Sequence, residues 1–127
     1  MKPVNLMVIT ASLGGLLIHF STDVIAENVP ESHVASPEIY KVLSESNGLR
    51  VILATWKPGQ KDNMHSHPAL AAYSLTNCSA RFFKADGGTV DKQLKAGNGR
   101  TKGPTKKHAF QNIGKKICQT LLVERLD

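Results

Sequence analysis

The sequence predicts an all-β domain, a small barrel or sandwich, and three observations support this. Short segments rich in branched and aromatic residues recur after residue 39, and turn residues such as Gly, Asn and Asp separate most of them. One segment, LRVILATW at Leu49–Trp56, is apolar on both faces, which is typical of a strand inside a barrel or sandwich. After residue 26 no segment sustains a helical apolar period over ten positions.

The first 26 residues have the composition of a signal peptide. Lys2 gives a weak positive start, and the apolar run at residues 6–20 is shorter than the roughly 20 residues that a membrane-spanning helix needs. Val24 and Ala26 suit a signal peptidase, so we predict cleavage after Ala26. The alternative is an uncleaved membrane anchor. With cleavage, the mature protein is secreted or periplasmic and has no stable membrane insertion.

The mature chain is about 100 residues long, which is enough for one domain with one core. We predict a polar, extended lead-in segment at 27–38 and a β-barrel domain at 39–127. His33 lies in the lead-in segment, where we expect it to be solvated. An exported protein could form a disulfide between Cys78 and Cys118, but the sequence does not tell whether their Cα atoms lie close enough.

The predicted strands follow the turn signals in chain order, from Tyr40 onwards. Turns are expected at Asn47-Gly48, Pro58-Gly59 and similar pairs, and also at residues 97–99. The strands are then placed at residues 40–43, 49–56, 65–67, 71–75, 79–84, 89–94, 107–112 and 117–125.

The formal charge of +6 is concentrated in one stretch of the chain. Residues 92–116 contain eight Lys or Arg and no acid, a pattern that could attract an acidic small molecule, lipid headgroups or nucleic acid. Aromatic residues are too few and too little interleaved for base stacking, so we expect no nucleic-acid partner. The alternatives are that these cations protect strand edges, or that they bind envelope polymers or lipids at the surface.

Three histidines form a candidate metal site. His65 and His67 are two residues apart in a predicted strand, so their side chains share a face. His108 lies in a later predicted strand, on the same face as Phe110 and Asn112. Three imidazoles on one side of a divalent ion leave positions open for water or substrate, which is typical of catalytic sites.

These residues resemble the two motifs of the cupins, which are small jelly-roll β-barrels. Gly59, five residues, His65, one residue and His67 resemble the first motif; Gly97, ten residues and His108 resemble the second. The resemblance covers residues 49–112. It implies a jelly-roll barrel with both glycines at turns, where only glycine easily takes a positive φ.

The resemblance also implies a metal and its ligands. His65, His67 and His108 would hold a divalent transition metal, Fe, Mn, Ni or Zn. The first motif normally continues with a glutamate, but Ala71 and Ala72 occupy the corresponding positions. Three neutral ligands would leave the ion its full charge, which favours a small anionic ligand. If no metal binds, the same histidines would line a ligand-binding pocket.

Two functions remain open from the sequence. One is a metal-dependent enzyme, dioxygenase-like or isomerase-like, acting on a small anionic substrate. The other is a non-catalytic cupin module that binds a small ligand. Tyr73 shares a face with Ala71 and is the one catalytic candidate, with packing in the core or at the rim as the alternative. The family resemblance further suggests a homodimer.

Overall fold

The computed structural model describes residues 27–127 together with Gly14, Gly15, Leu17 and Ile18. Most of the predicted signal peptide, residues 1–26, lies outside the described residues. Among those that are described, no helix is long and apolar enough to cross a membrane.

The described chain forms two antiparallel sheets and one short helix. The five-stranded sheet has the order β1-β2-β9-β4-β7, and the four-stranded sheet has the order β3-β8-β5-β6. The elements are α1 (Ser32–Ala35), β1 (Tyr40–Ser46), β2 (Leu49–Trp56), β3 (His65–His67), β4 (Leu70–Ser74), β5 (Cys78–Lys84), β6 (Thr89–Leu94), β7 (Gly99–Lys102), β8 (Thr105–Asn112) and β9 (Cys118–Arg125).

The core lies between the two sheets, and the alternation of side chains in β2 and β9 builds one wall of it. Every second residue of each strand is buried. The antiparallel register places Ile52 opposite Leu122 and Trp56 opposite Cys118, with all four side chains in the core. The sequence predicted β2 as a strand inside the barrel with two apolar faces, and the structure shows that the face of Ile52, Ala54 and Trp56 is the inward one.

Two parts of the predicted secondary structure were wrong. β7 was not predicted, because its sequence GRTK lacks branched apolar residues and residues 97–99 were read as a turn. The lead-in segment was predicted to be extended and exposed, but it contains α1 and packs on the barrel. Ser32 and Ser36 are fully buried there, and the Ser36 hydroxyl accepts the Asn63 backbone N–H at 2.9 Å.

A disulfide joins the two sheets. Cys78 begins β5 and Cys118 begins β9, and their Cα atoms are 5.3 Å apart. This bond answers a question that the sequence left open. Closing a loop with a sequence separation of 40 stabilises the fold by about 4 kcal/mol in the chain-entropy model.

The two glycines of the motifs take the backbone conformation that the resemblance implied. Gly59 has a φ of 79° and Gly97 has a φ of 87°. Both lie in turns next to strands of the site, where a residue with a Cβ atom would be strained.

Candidate metal centre

The structure brings the three predicted histidines together in one cluster. His65 and His67 lie on β3, and His108 on the neighbouring β8 is the cross-strand partner of His65. One ring nitrogen of each histidine lies within 4.8 Å of those of the other two. We call these residues the histidine cluster. His65 is fully buried and His67 is nearly so.

Hydrogen bonds fix the orientation of two of the rings. The Nδ1–H of His65 donates to the backbone carbonyl of Asn63 at 2.7 Å, and the Nδ1–H of His67 donates to Oε1 of Glu124 at 2.7 Å. Both partners are acceptors, so each Nδ1 carries a proton. The two Nε2 atoms then face each other at 2.9 Å. Two lone pairs at this distance repel unless a cation, a proton or a metal ion, lies between them.

The third histidine favours the metal ion over the proton. Nε2 of His108 is buried and has no hydrogen-bond partner among the described residues. Burial, reinforced by the neighbouring histidines, lowers the pKa of His108 to about 2, and burial together with His67 lowers that of His65 to about 4. Both rings are therefore neutral near pH 7, the form that ligates metals. One proton can be shared between only two nitrogens, whereas a divalent ion can accept the lone pairs of all three histidines.

Glu124 supports the cluster from the opposite sheet. It is fully buried on β9, where Oε1 accepts from His67 and Oε2 accepts from Nη1 of Arg50 at 3.2 Å. Burial opposes ionisation of Glu124, but the hydrogen bonds from His67 and Arg50 outweigh it and hold its pKa below the usual value. A carboxylate behind a ligating histidine fixes the ring and raises its basicity. It also places a negative charge in direct contact with the ring of His67.

Arg50 links the buried carboxylate of Glu124 to acidic residues nearer the surface. Its guanidinium also donates to Glu45 at 2.8 Å and to Glu31 in the lead-in segment. The side chain of Arg50 is 10% exposed, and that of Glu124 is completely buried. The buried carboxylate therefore has a cation beside it as well as a histidine.

A second carboxylate holds the turn that leads into β3. Asp62 is buried and accepts three hydrogen bonds, from the Tyr40 hydroxyl at 2.6 Å, the Trp56 indole at 3.2 Å and the Phe110 backbone at 2.7 Å. Burial raises its pKa to about 6, although these hydrogen bonds oppose the rise. The Tyr40 oxygen lies 3.3 Å from Nε2 of His65, which places this hydroxyl at the edge of the cluster.

A cavity of about 530 Å³ opens from the histidine cluster through the barrel. We call it the barrel cavity. His67 and His108 line it, and its walls are mainly apolar, with Leu70, Phe82 and Leu122 among them. Its volume lies in the range of small-molecule sites, which is roughly 300–1,000 Å³.

The structure places Tyr73 away from the cluster. Its neighbours Ala72 and Ser74 are buried, so Tyr73 points to the outer face of β4, where it is 46% exposed. It does not line the barrel cavity. His33 is also outside the cluster, with Nδ1 3.7 Å from Glu31.

The sequence reasoning did not single out Glu124, Arg50 or Asp62. A signal existed for the first two, because strand alternation places Arg50 on the same face as Ile52 and Glu124 on the same face as Leu122. A charge at an inward strand position requires a buried partner, but alternation does not identify which residue that partner is. Asp62 lies between strands and has no such periodic signal.

Solved structures establish the fold of the chain, whereas no protein-family model and no curated protein matches the sequence. The chain is similar to a cupin domain from Bordetella pertussis Tohama I, with a TM-score of 0.66 and 18% identity over 80% of this chain and 99% of that one. A protein with a double-stranded β-helix domain from Klebsiella pneumoniae gives a TM-score of 0.56 and 25% identity over 68% and 75% of the two chains. The oxalate decarboxylase of Bacillus subtilis, described for its Mn(II) centres, gives a TM-score of 0.51 and 24% identity over 65% of this chain and 22% of that one. The chain therefore has the cupin fold, a small jelly-roll β-barrel, which confirms the predicted fold class.

Proposed function

We propose that the protein is a metal-binding cupin in which Nε2 atoms of His65, His67 and His108 hold one divalent transition metal ion. The observation that carries the proposal is the facing pair of Nε2 atoms, 2.9 Å apart, beside the unpartnered Nε2 of His108. Imidazole ligands suit Fe, Ni and Zn, and Mn would bind the same three nitrogens more weakly. The carboxylate of Glu124 behind His67 further supports a metal site.

The centre would serve an enzyme that acts on a small anionic substrate. A bound ion with open positions would polarise a substrate oxygen or activate a bound small molecule, in a dioxygenase-like or isomerase-like reaction. The chain itself positions the ligand rings and shields one side of the cluster with Tyr40. The apolar walls of the barrel cavity exclude water from a bound substrate.

A second candidate is a binding module without chemistry. It is favoured by one observation: among the described residues, no Asp or Glu lines the barrel cavity, so carboxylate acid-base groups are missing there. Aerobic incubation of the metal-loaded protein with a library of small organic acids, followed by mass spectrometry and proton NMR spectroscopy, separates the two. Acids that change in mass, or in NMR spectrum at constant mass, indicate an enzyme, and acids that are retained unchanged by both measurements indicate a module.

Metal content measured on protein without a His-tag tests the proposal. Wild type, His65→Ala and His33→Ala are reconstituted anaerobically and compared by elemental analysis. We expect about one ion per chain in wild type and in the His33→Ala control, and less than about 0.2 in His65→Ala. A content below about 0.2 in all three proteins would contradict the proposal.

We also propose that the protein is exported after cleavage behind Ala26. The disulfide between Cys78 and Cys118 supports an oxidising compartment, because such bonds are rare in the cytosol. N-terminal sequencing of the protein from its native cells tests this. The expected first residue is Glu27, and a chain that still begins at Met1 would contradict the cleavage.

A further inference from the structure

The mouth of the barrel cavity carries positive charge that no acid in the described chain neutralises. The cavity is lined by Lys84, Lys92, Arg100, Lys102 and Lys107. Two of these have acidic partners: Lys84 lies near Asp86, and Lys107 pairs with Glu27. The remaining three, Lys92, Arg100 and Lys102, form no salt bridge with any described residue, and we call them the cationic mouth.

Strand register directs these side chains into the cavity. In the pairing of β4 with β7, Arg100 lies opposite Ala72 and Lys102 lies opposite Leu70. Directly opposed residues share a face of the sheet, and Ala72 and Leu70 both line the cavity. Lys92 approaches from the other sheet, on β6. Cations from both sheets therefore meet at one opening.

The positive charge of Lys102 is close enough to those of Lys92 and Arg100 for them to repel it. Burial, followed by the charges of Lys92 and Arg100, lowers the pKa of Lys102. Burial also lowers the pKa of Arg100, whose Nη1 donates to the Ser74 hydroxyl at 3.1 Å. That bond leaves other guanidinium N–H groups available. Placing like charges together without an anion costs free energy, and a bound anion would recover it.

The rest of the cavity is unsuited to a fully hydrated ion. Its walls include Leu94, Leu122 and Phe82. The Phe82 ring lies 5.6 Å from Nζ of Lys92 at the cationic mouth and 6.3 Å from the His108 ring of the histidine cluster, and it packs edge-on against Phe110 at a centroid distance of 5.0 Å. Apolar walls of this kind stabilise a ligand through burial of its apolar surface. Charge at one end and apolar walls in between fit an amphipathic anion.

We propose that the cationic mouth binds the carboxylate of an organic acid whose apolar body lies along Phe82 and Leu122. The planar guanidinium of Arg100 matches a carboxylate in bidentate geometry, and Lys102 and Lys92 add point charges. The far end of the acid faces His67 and His108. In that respect the inference rests on the proposed function, for which it names the substrate class: small amphipathic carboxylates.

Calorimetric titration of the full mature chain after EDTA treatment tests this assignment. The probes are hexanoate and phenylacetate, with hexanol as the uncharged match and inorganic phosphate as an anion without an apolar body. The variants are Arg100→Gln/Lys102→Gln and, as matched control, Lys106→Gln. Lys106 lies on β8 between two cavity-lining residues, so it points away from the cavity.

We expect at least one of the two acids to bind wild type and Lys106→Gln with a Kd below about 10 mM. The double variant should bind it at least about twentyfold more weakly, because two charge-assisted contacts are lost. Unfolding midpoints of the variants, matched to wild type, show that the fold is retained. Four results would each overturn the assignment. Two concern the probes: hexanol binds as tightly as hexanoate, or phosphate binds as tightly as either acid. The other two are that the double variant binds the acid as well as wild type does, or that neither acid binds at all.

The experiment separates this inference from the proposed function. Titration of the EDTA-treated protein needs no metal, so acid binding can succeed where metal binding fails. Metal can equally bind at full occupancy while neither acid binds. Acid binding without metal binding would contradict the metal centre and support the cationic mouth. Metal binding without acid binding would contradict the cationic mouth and support the metal centre.

Discussion

The two ends of the barrel cavity differ in whether the charged groups near them have partners of opposite charge. Behind the inner end, around the histidine cluster, the buried acids have partners: Glu124 contacts both His67 and Arg50, and Asp62 accepts three hydrogen bonds. At the cationic mouth, Arg100 and Lys102 have no acidic partner within the described chain. The inner end is closed and hydrogen-bonded, whereas the mouth is open to solvent.

On this basis the proposed metal centre would be a fixed site and the proposed acid site an exchangeable one. A metal ion requires ligands that are held before it arrives, which the acceptors behind His65 and His67 provide. The unpaired cations at the opening would attract an organic anion that enters and leaves. The contrast predicts that substitutions at the inner end change stability and metal affinity, whereas substitutions at the mouth change ligand affinity alone.

Replacing an arginine at each end should give the largest contrast. Arg50→Met leaves the carboxylate of Glu124 buried without its cation, so we expect the free energy of unfolding to fall by about 3–5 kcal/mol. Arg100→Gln removes a solvent-accessible charge and should change it by less than about 0.5 kcal/mol. Urea unfolding measures both. Equal losses would break the contrast between the two ends.

Removing the charge of Glu124 should weaken metal binding without abolishing it. In Glu124→Gln the ring of His67 keeps an acceptor but loses the carboxylate that raises its basicity, so we expect the affinity to fall about 10- to 100-fold. Glu45→Gln is the matched control, because Glu45 contacts the same arginine at the surface and does not touch the cluster. Competition with a chelating dye measures the affinities. Two variants of equal affinity would exclude a supporting role for Glu124.

Salt should affect the two ends differently. Raising NaCl from about 50 to 500 mM shortens the Debye length and screens exposed charges more than buried ones. We expect acid binding at the cationic mouth to weaken about fivefold, and metal affinity at the inner end to change by less than about twofold. Parallel titrations with hexanoate and with the chelating dye measure both quantities. If metal affinity falls as steeply as acid binding, the histidine cluster is not shielded from the dissolved salt.

Tyr73→Phe should have the smallest effect. Because this side chain lies on the outer face, we expect the free energy of unfolding to change by less than about 0.5 kcal/mol. Metal affinity and acid binding should also stay within about twofold. A larger loss in either binding measurement would show that the hydroxyl of Tyr73 reaches the cavity.

Local patterns predicted most of the strands and the three histidines. Strand alternation placed His65 beside His67, because it is a short-range periodicity. His108 was included through the resemblance of its segment to the second cupin motif. The pairing of Arg50 with Glu124 could not be predicted, because it depends on the register between β2 and β9, which are 74 residues apart at that point. β7 was missed because its pairing with β4, rather than its own apolar content, makes it a strand.

Anomalous diffraction from crystals of metal-reconstituted protein tests the central claim most directly. We predict one ion per chain, bound by Nε2 atoms of His65, His67 and His108 at about 2.0–2.2 Å. The rings of His65 and His67 should keep their Nδ1 hydrogen bonds to Asn63 and Glu124. An ion bound at the surface, or no anomalous peak at the histidine cluster despite reconstitution, would contradict the metal centre.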